Sequence, residues 1–119
     1  MNIKDIMNKL NIKTIDEDYN WAIFKVGSQM HIFYLESNSN QFIMERDLYE
    51  YLDSNSLPYS LLLFNKKSKQ YFYIDLKKGH NWIKACFDNC AKESIFLGKQ
   101  IMNYPIREDE IVDLFKKLK

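Results

Sequence analysis

Hydrophobic and polar positions change their spacing along the chain in a way that separates helices from strands. The first ten residues place apolar side chains at the i, i+3, i+4, i+7 spacing of a helix with one buried face, and Asn2 is the expected N-cap. The apolar runs 21–26 and 29–35 flank Gly27-Ser28. This pattern predicts a β-hairpin with a type II′ turn.

The middle of the chain predicts a short strand, a helix and a second hairpin. Residues 41–44 suit a short strand and 45–53 a helix, which the polar segment before Pro58 ends. Residues 59–64 are nearly all apolar, as in a strand covered on both faces. Residues 70–76 alternate apolar and polar positions, which predicts a partner strand with one exposed face, joined to the first through the lysine-rich turn 65–69.

The last third predicts helix, strand and helix. Gly79 precedes an apolar stripe that predicts a helix over 81–91, and residues 94–103 suit a strand. A final helix follows Pro105. It has acidic residues at its start and lysines at its end, as the helix dipole favours. We therefore expect one α+β domain over residues 1–119. Its sheet is mostly antiparallel or mixed, with about five to six strands, and about four short helices flank it.

Composition agrees with a folded domain. The 119 residues are 46% hydrophobic and 15% aromatic, and no apolar run approaches the roughly 18 residues that span a bilayer. The N-terminal segment lacks the apolar core of a signal peptide, and Cys86 and Cys90 lie four apart in a predicted helix, a poor geometry for a disulfide. We expect a cytoplasmic protein with reduced thiols that does not associate with membranes.

Charge is distributed unevenly along a chain whose formal net charge is only +1. Residues 1–60 carry five basic and nine acidic side chains, whereas 61–119 carry twelve and seven. Segment 66–92 contains seven lysines and suits an acidic partner. Lysine outnumbers arginine fifteen to two, however, and arginine is the residue that grips phosphate and guanine with two hydrogen bonds. Sequence-specific recognition of nucleic acid is therefore disfavoured.

Candidate chemistry at cysteine and histidine is weak. Cys86 and Cys90 fall on the same stripe as the apolar residues of the predicted helix, which indicates packing in the core, and a closed zinc site needs about four ligands. His31 is interpreted as a histidine of the sheet. With three glycines in the chain there is no glycine-rich phosphate loop and no nucleophile elbow. No metal site and no cofactor is predicted from these residues.

Asp75 and Lys77 form the one acid–base arrangement of note. They lie two apart at the end of the predicted strand 70–76, hence on one face. Together with the order hairpin, Asp-x-Lys, helix, strand over residues 57–103, this resembles the PD-(D/E)xK nuclease core. The resemblance implies that Asp75 binds Mg²⁺ and Lys77 orients the attacking water. The family's first acid is missing, since Tyr59 follows Pro58, unless Glu36, Glu50 or Asp53 supplies it.

The basic residues near this hairpin have two interpretations. They could follow the phosphates of a nucleic acid between residues 66 and 84, with Tyr71 and Tyr73 stacking on bases. We favour the alternative in which lysines solvate a turn and protect a sheet edge. The basic candidates are Lys66, Lys67, Lys69, Lys78 and Lys84.

Surplus aromatic residues suggest a protein interface. Eight tyrosines and eight phenylalanines exceed what a small core readily absorbs, and tyrosine is enriched at interfaces. Tyr71 and Tyr73 on the exposed sheet face, with Tyr49 on the polar side of its helix, are the candidate anchors. The sequence favours a non-catalytic interaction protein of bacterial or phage type, such as an inhibitor, immunity or accessory protein. The alternative is an active or degenerate nuclease-like protein.

Overall fold

A six-stranded sheet forms the centre of the fold in the computed structural model, which describes residues 3–27, 30–55, 59–89 and 91–118. The helices over these residues are α1 (Ile3–Lys9), α2 (Arg46–Ser54), α3 (Leu76–Asp88) and α4 (Glu108–Leu118), with a 3₁₀ helix at Lys99–Asn103. The strands are β1 (Lys13–Glu17), β2 (Trp21–Val26), β3 (Met30–Ser37), β4 (Phe42–Glu45), β5 (Tyr59–Asn65), β6 (Gln70–Ile74), β7 (Ser94–Leu97) and β8 (Pro105–Ile106). The α+β prediction is confirmed.

The main sheet is mixed, with the order β1-β2-β3-β5-β6-β8. All its neighbours pair antiparallel except β3 and β5, which run parallel from His31 opposite Tyr59 to Ser37 opposite Asn65. A parallel pair needs a crossover connection, and β4 with α2 supplies it. The central strand β5 is buried along nearly its whole length, as its continuous apolar run predicts. The two remaining strands, β4 and β7, pair in a small separate sheet.

Both faces of the main sheet are covered. One apolar cluster packs beneath α2 and α3 and includes Phe33, Leu61 and Phe72. A second cluster packs beneath α1 and α4 and includes Phe24 and Leu62. The prediction that β6 exposes one face is therefore wrong, because helices from the two ends of the chain cover the face that carries its tyrosines.

The β2–β3 hairpin forms as predicted, but its connection is one residue longer. Val26 pairs with Met30, so three residues lie between the strands rather than two. Gly27 has φ = 70°, a conformation that glycine adopts without steric cost. Ser28 and Gln29, and likewise Asn2 and Cys90, lie outside the described residues.

Helix α3 starts earlier than the sequence pattern predicts. Strand β6 ends at Ile74, and Asp75 caps the helix by accepting a 3.0 Å hydrogen bond from the backbone N–H of Lys78. Gly79 lies inside the helix rather than before it. A Cβ at this position would lie 3.3 Å from the carbonyl oxygen of Ile74 and 3.4 Å from Leu61. Gly79 thus permits α3 to pack closely on β5.

The strand predicted over 94–103 is only partly confirmed. Residues 94–97 form β7, after which the chain turns into the 3₁₀ helix at Lys99–Asn103. The partner strand β4 has only four residues, so the ladder has no partner positions beyond Leu97. The charged edge strand β1 and the two-residue β8 were not predicted. Among the described residues, no helix combines the length and apolar composition needed to cross a membrane.

Candidate functional site

The three tyrosines predicted as interface anchors lie in or against the core. Tyr49 is 5% exposed and stacks on Phe87 with ring centroids 4.9 Å apart, and burial with nearby Asp53 raises its pKa. Tyr71 is also 5% exposed and stacks on Phe64 at 4.4 Å, and burial raises its pKa to about 12. Tyr73 is half-buried and meets the ring of Phe115 edge-on. The prediction of exposed rings is wrong, because the apolar residues of the helices occupy those faces.

Asp75 and Lys77 do not share a strand. Asp75 is the cap of α3, and the backbone of Lys77 lies within that helix, so the strand geometry that the nuclease resemblance requires is wrong. Within the part of the chain that the structure describes, no group of three or more His, Cys, Asp and Glu side chains is placed to hold a metal ion. Glu36, Glu50 and Asp53 therefore belong to no such group over those residues.

Most lysines of the predicted basic patch have partners within the protein. Lys66 lies 3.9 Å from Glu36, and Lys84 lies 3.5 Å from Asp88. Lys78 donates a 2.8 Å hydrogen bond to the hydroxyl of Tyr104 and lies over that ring, which raises the pKa of Lys78. The patch is also divided, since Lys78 and Lys84 belong to α3 whereas the other three lie in the β5–β6 turn.

The lysine-rich turn is organised by a buried asparagine. The side-chain oxygen of Asn65 accepts hydrogen bonds from the backbone N–H groups of Lys67 (2.9 Å) and Ser68 (3.1 Å). Its amide nitrogen donates to the side chain of Asn40 at 2.7 Å. Lys69 adopts φ = 60°, which closes the turn. These bonds give the turn a structural explanation, and Lys66, Lys67 and Lys69 are exposed on it.

A groove lies between this turn and the start of α4, and we call it the hairpin groove. Its volume is about 730 Å³. Its lining comprises Phe64, Ser68, Lys69, Gln70, Tyr71, Pro105, Ile106, Arg107, Glu108 and Glu110. The groove brings together Lys69 and Tyr71 of the predicted site residues. The lining contains two cations, Lys69 and Arg107, and two carboxylates, Glu108 and Glu110, so the groove carries no excess charge. Arg107 pairs with Glu110 at 3.0 Å.

An acidic corner lies at the same end of the sheet, on the other side of β3. It comprises Asp16, Glu17, Asp18, Tyr19 and Glu36. Backbone bonds hold it beside the lysine turn, because Glu36 donates to the carbonyl of Asn20 at 2.9 Å and Lys66 donates to that of Ser37 at 2.8 Å. Tyr19 is 87% exposed, the most exposed of the large apolar and aromatic side chains that are described.

The acidic corner has more charge than its neighbours neutralise. Lys4 pairs with Glu17 at 2.6 Å, and Lys66 lies near Glu36. Four carboxylates against these two ammonium groups leave two negative charges unmatched. Asp16 and Asp18 accept hydrogen bonds only from the backbone N–H of the next residue, among the contacts of the described residues. The corner is therefore an anionic surface that includes the exposed ring of Tyr19.

A depression of about 230 Å³ opens beside Tyr19, and we call it the acidic depression. Its lining comprises Ile3, Lys4, Asp18, Tyr19, Trp21, Ala22, Tyr34 and Glu36. The sequence pattern did not single out this site, since the acidic stretch 16–18 reads as a link between elements. The available signal was Tyr19. It is an aromatic residue in an acidic turn, at a position where the spacing of apolar residues predicts neither a helix nor a strand. No known protein family, curated protein or solved structure matches the chain.

Proposed function

We propose that this chain is a non-catalytic interaction domain of the cytoplasm that binds another protein through its acidic corner. The observation that carries the proposal is Tyr19, which is 87% exposed among three exposed acidic residues. A tyrosine gains large contact area on docking at a low entropy cost, and it is among the residues that dominate binding energy at interfaces.

The charge of the corner indicates a basic partner. Its unmatched carboxylates attract a positively charged surface and accelerate association at low salt. An inhibitor, immunity or accessory protein that covers a basic surface on its target fits this description. The lysines of segment 66–92 give less support to an acidic partner, because Lys66, Lys78 and Lys84 already have partners within the protein.

The test uses the tagged chain to capture proteins from a lysate of the cells that encode it. Tyr19→Ala is compared with Tyr51→Ala, a control on α2 whose ring is 41% exposed. If Tyr19 is a hot spot worth about 2 kcal/mol, its loss lowers partner recovery at least about tenfold, and Tyr51→Ala recovers the partner like the wild type. Equal recovery by both variants, or no enriched protein with the wild-type chain, would contradict the proposal.

The nuclease-like activity with Mg²⁺, Asp75 and Lys77 remains a hypothesis from the sequence. No contact of the described residues favours it over the interaction domain, and the helix cap gives Asp75 a structural role.

A further inference from the structure

The acidic depression combines aromatic, acidic and apolar residues. Its lining includes the buried apolar residues Ile3 and Ala22 together with Tyr19, Tyr34, Asp18 and Glu36. Its volume of about 230 Å³ falls below the range of pockets that enclose a drug-sized ligand. The size suits a single protruding side chain.

The carboxylate of Glu36 is held in place at this depression. One of its oxygens accepts a 2.7 Å hydrogen bond from the hydroxyl of Tyr34, whose side chain is 3% exposed. The side chain of Glu36 is 23% exposed, and among the described residues its other oxygen has only Lys66, at 3.9 Å, as a charged neighbour. A half-buried, oriented carboxylate loses little entropy when it receives a cation, and it interacts more strongly than a fully solvated one.

The cations already present leave room for another. Lys4 also lines the depression, but its ammonium group lies 2.6 Å from Glu17 and is neutralised there. Lys66 forms an ion pair with Glu36 at 3.9 Å, but this separation is too long for a hydrogen bond, so the Glu36 oxygen can still accept one. Asp18 has no ion pair with any other residue that the structure describes, and it is one of the residues that line the same depression.

We propose that the acidic depression receives the guanidinium group of an arginine side chain from the partner protein, an inference that rests on the proposed function. A planar guanidinium group donates hydrogen bonds to carboxylates in pairs and stacks on aromatic rings, so it suits a site with Asp18, Glu36 and the ring of Tyr19. A lysine ammonium group lacks that planar fork and makes less use of the same lining.

The test is an NMR titration of the labelled full chain with N-acetyl-arginine amide. N-acetyl-citrulline amide, in which a neutral urea replaces the guanidinium group, is the matched control ligand. Glu36→Gln and Asp18→Asn each remove one charge and keep an oxygen that accepts the existing hydrogen bond. Asp16→Asn is the matched control variant, because it removes a charge from the corner without lining the depression.

Arginine amide is expected to shift the amide signals of residues 18–22 and 34–36, and citrulline amide is not. Glu36→Gln and Asp18→Asn each weaken binding about tenfold, the loss of one charge-assisted hydrogen bond. Asp16→Asn changes it by less than about twofold, the range of an exposed charge.

Several results would overturn the inference. The signals that shift could cluster elsewhere, or N-acetyl-arginine amide could fail to bind. N-acetyl-citrulline amide, or N-acetyl-lysine amide as a second control ligand, could bind as tightly as N-acetyl-arginine amide. Asp16→Asn could weaken binding as much as Glu36→Gln and Asp18→Asn do. If capture still depends on Tyr19 in that event, only the inference fails and the proposed function stands. Capture that does not depend on Tyr19 defeats the proposed function whatever the titration shows.

Discussion

The hydroxyl of Tyr34 donates a 2.7 Å hydrogen bond to the carboxylate of Glu36, two residues later on the same strand. Residues two apart on a strand point to the same face, so the core side chain and the surface carboxylate are neighbours by the geometry of β3. Burial and the bond to Glu36 both raise the pKa of Tyr34. The tyrosine thus remains a hydrogen-bond donor, and it links the core under α1 to the acidic depression.

Removing this hydroxyl tests the link. Tyr34→Phe preserves the ring and is expected to lower the free energy of unfolding by about 1 kcal/mol, the contribution of one hydrogen bond. Because Glu36 loses its orienting donor, binding of the arginine ligand weakens as well. Urea denaturation and the NMR titration measure the two effects. A variant with wild-type stability and wild-type binding would show that the bond does not position Glu36.

Tyr49 and Tyr51 offer a matched comparison within α2. Tyr49 is buried against Phe87, whereas Tyr51 is 41% exposed. Replacing a buried aromatic residue by alanine leaves a cavity, so Tyr49→Ala is expected to lower the free energy of unfolding by about 3 kcal/mol. Tyr51→Ala is expected to change it by less than about 0.5 kcal/mol. Similar losses in both variants, measured by chemical denaturation, would show that Tyr49 is not a core residue.

Asp75 is expected to contribute to stability as a helix cap. Asp75→Ala removes the acceptor for the N–H of Lys78 and lowers the free energy of unfolding by about 1 kcal/mol. Asp75→Asn retains an acceptor and stays close to the wild type. Thermal denaturation of the wild type and both variants, with and without Mg²⁺, measures these changes in stability. A stabilising effect of Mg²⁺ on the wild type that Asp75→Asn abolishes would instead favour the nuclease-like hypothesis.

His31 is expected to make the stability of the fold depend on pH. Burial lowers its pKa below the ordinary value of 6.5, with a further contribution from Lys25 on the adjacent strand, and its buried Nδ1 atom has no hydrogen-bond partner among the residues that the structure describes. The unfolded chain binds the proton more readily, so this contribution to stability is complete above pH 6.5 and is lost as the pH falls toward the lowered pKa. His31→Gln should therefore flatten the decline in stability between pH 7.5 and 5.5. An unchanged slope would contradict the assignment.

The sequence predicts those helices and strands whose pattern of apolar and polar residues lies within a single short segment. The helix α1, the pair β2–β3 and the buried strand β5 follow from their own periodicity. The start of α3 was missed because Gly79 reads as a helix boundary, whereas here it permits close packing on Leu61. Asp75 is the competing signal, since aspartate is a favoured helix cap, but the alternation over 70–76 assigns it to the end of a strand together with Lys77.

The candidate site was harder to predict because it depends on contacts between distant segments. Alternation along β6 indicates two faces, but it does not show that α4, more than thirty residues later, covers the face of Tyr71. The acidic corner likewise forms only when the β1–β2 turn meets the end of β3, through the bond from Glu36 to Asn20. The count of charges along the sequence favours the lysines of segment 66–92 as a binding site, because a sequence does not show which lysines pair with acidic residues of the same protein.

Hydrogen exchange of the captured complex tests the central claim most directly. Amide exchange is measured by mass spectrometry for the chain alone and for the chain bound to the protein recovered in the capture experiment. We predict that the partner slows exchange in peptides covering residues 16–22 and 34–36, with no change at 64–71 or 105–110. Protection confined to those last two segments would contradict the account, because the partner would then occupy the hairpin groove.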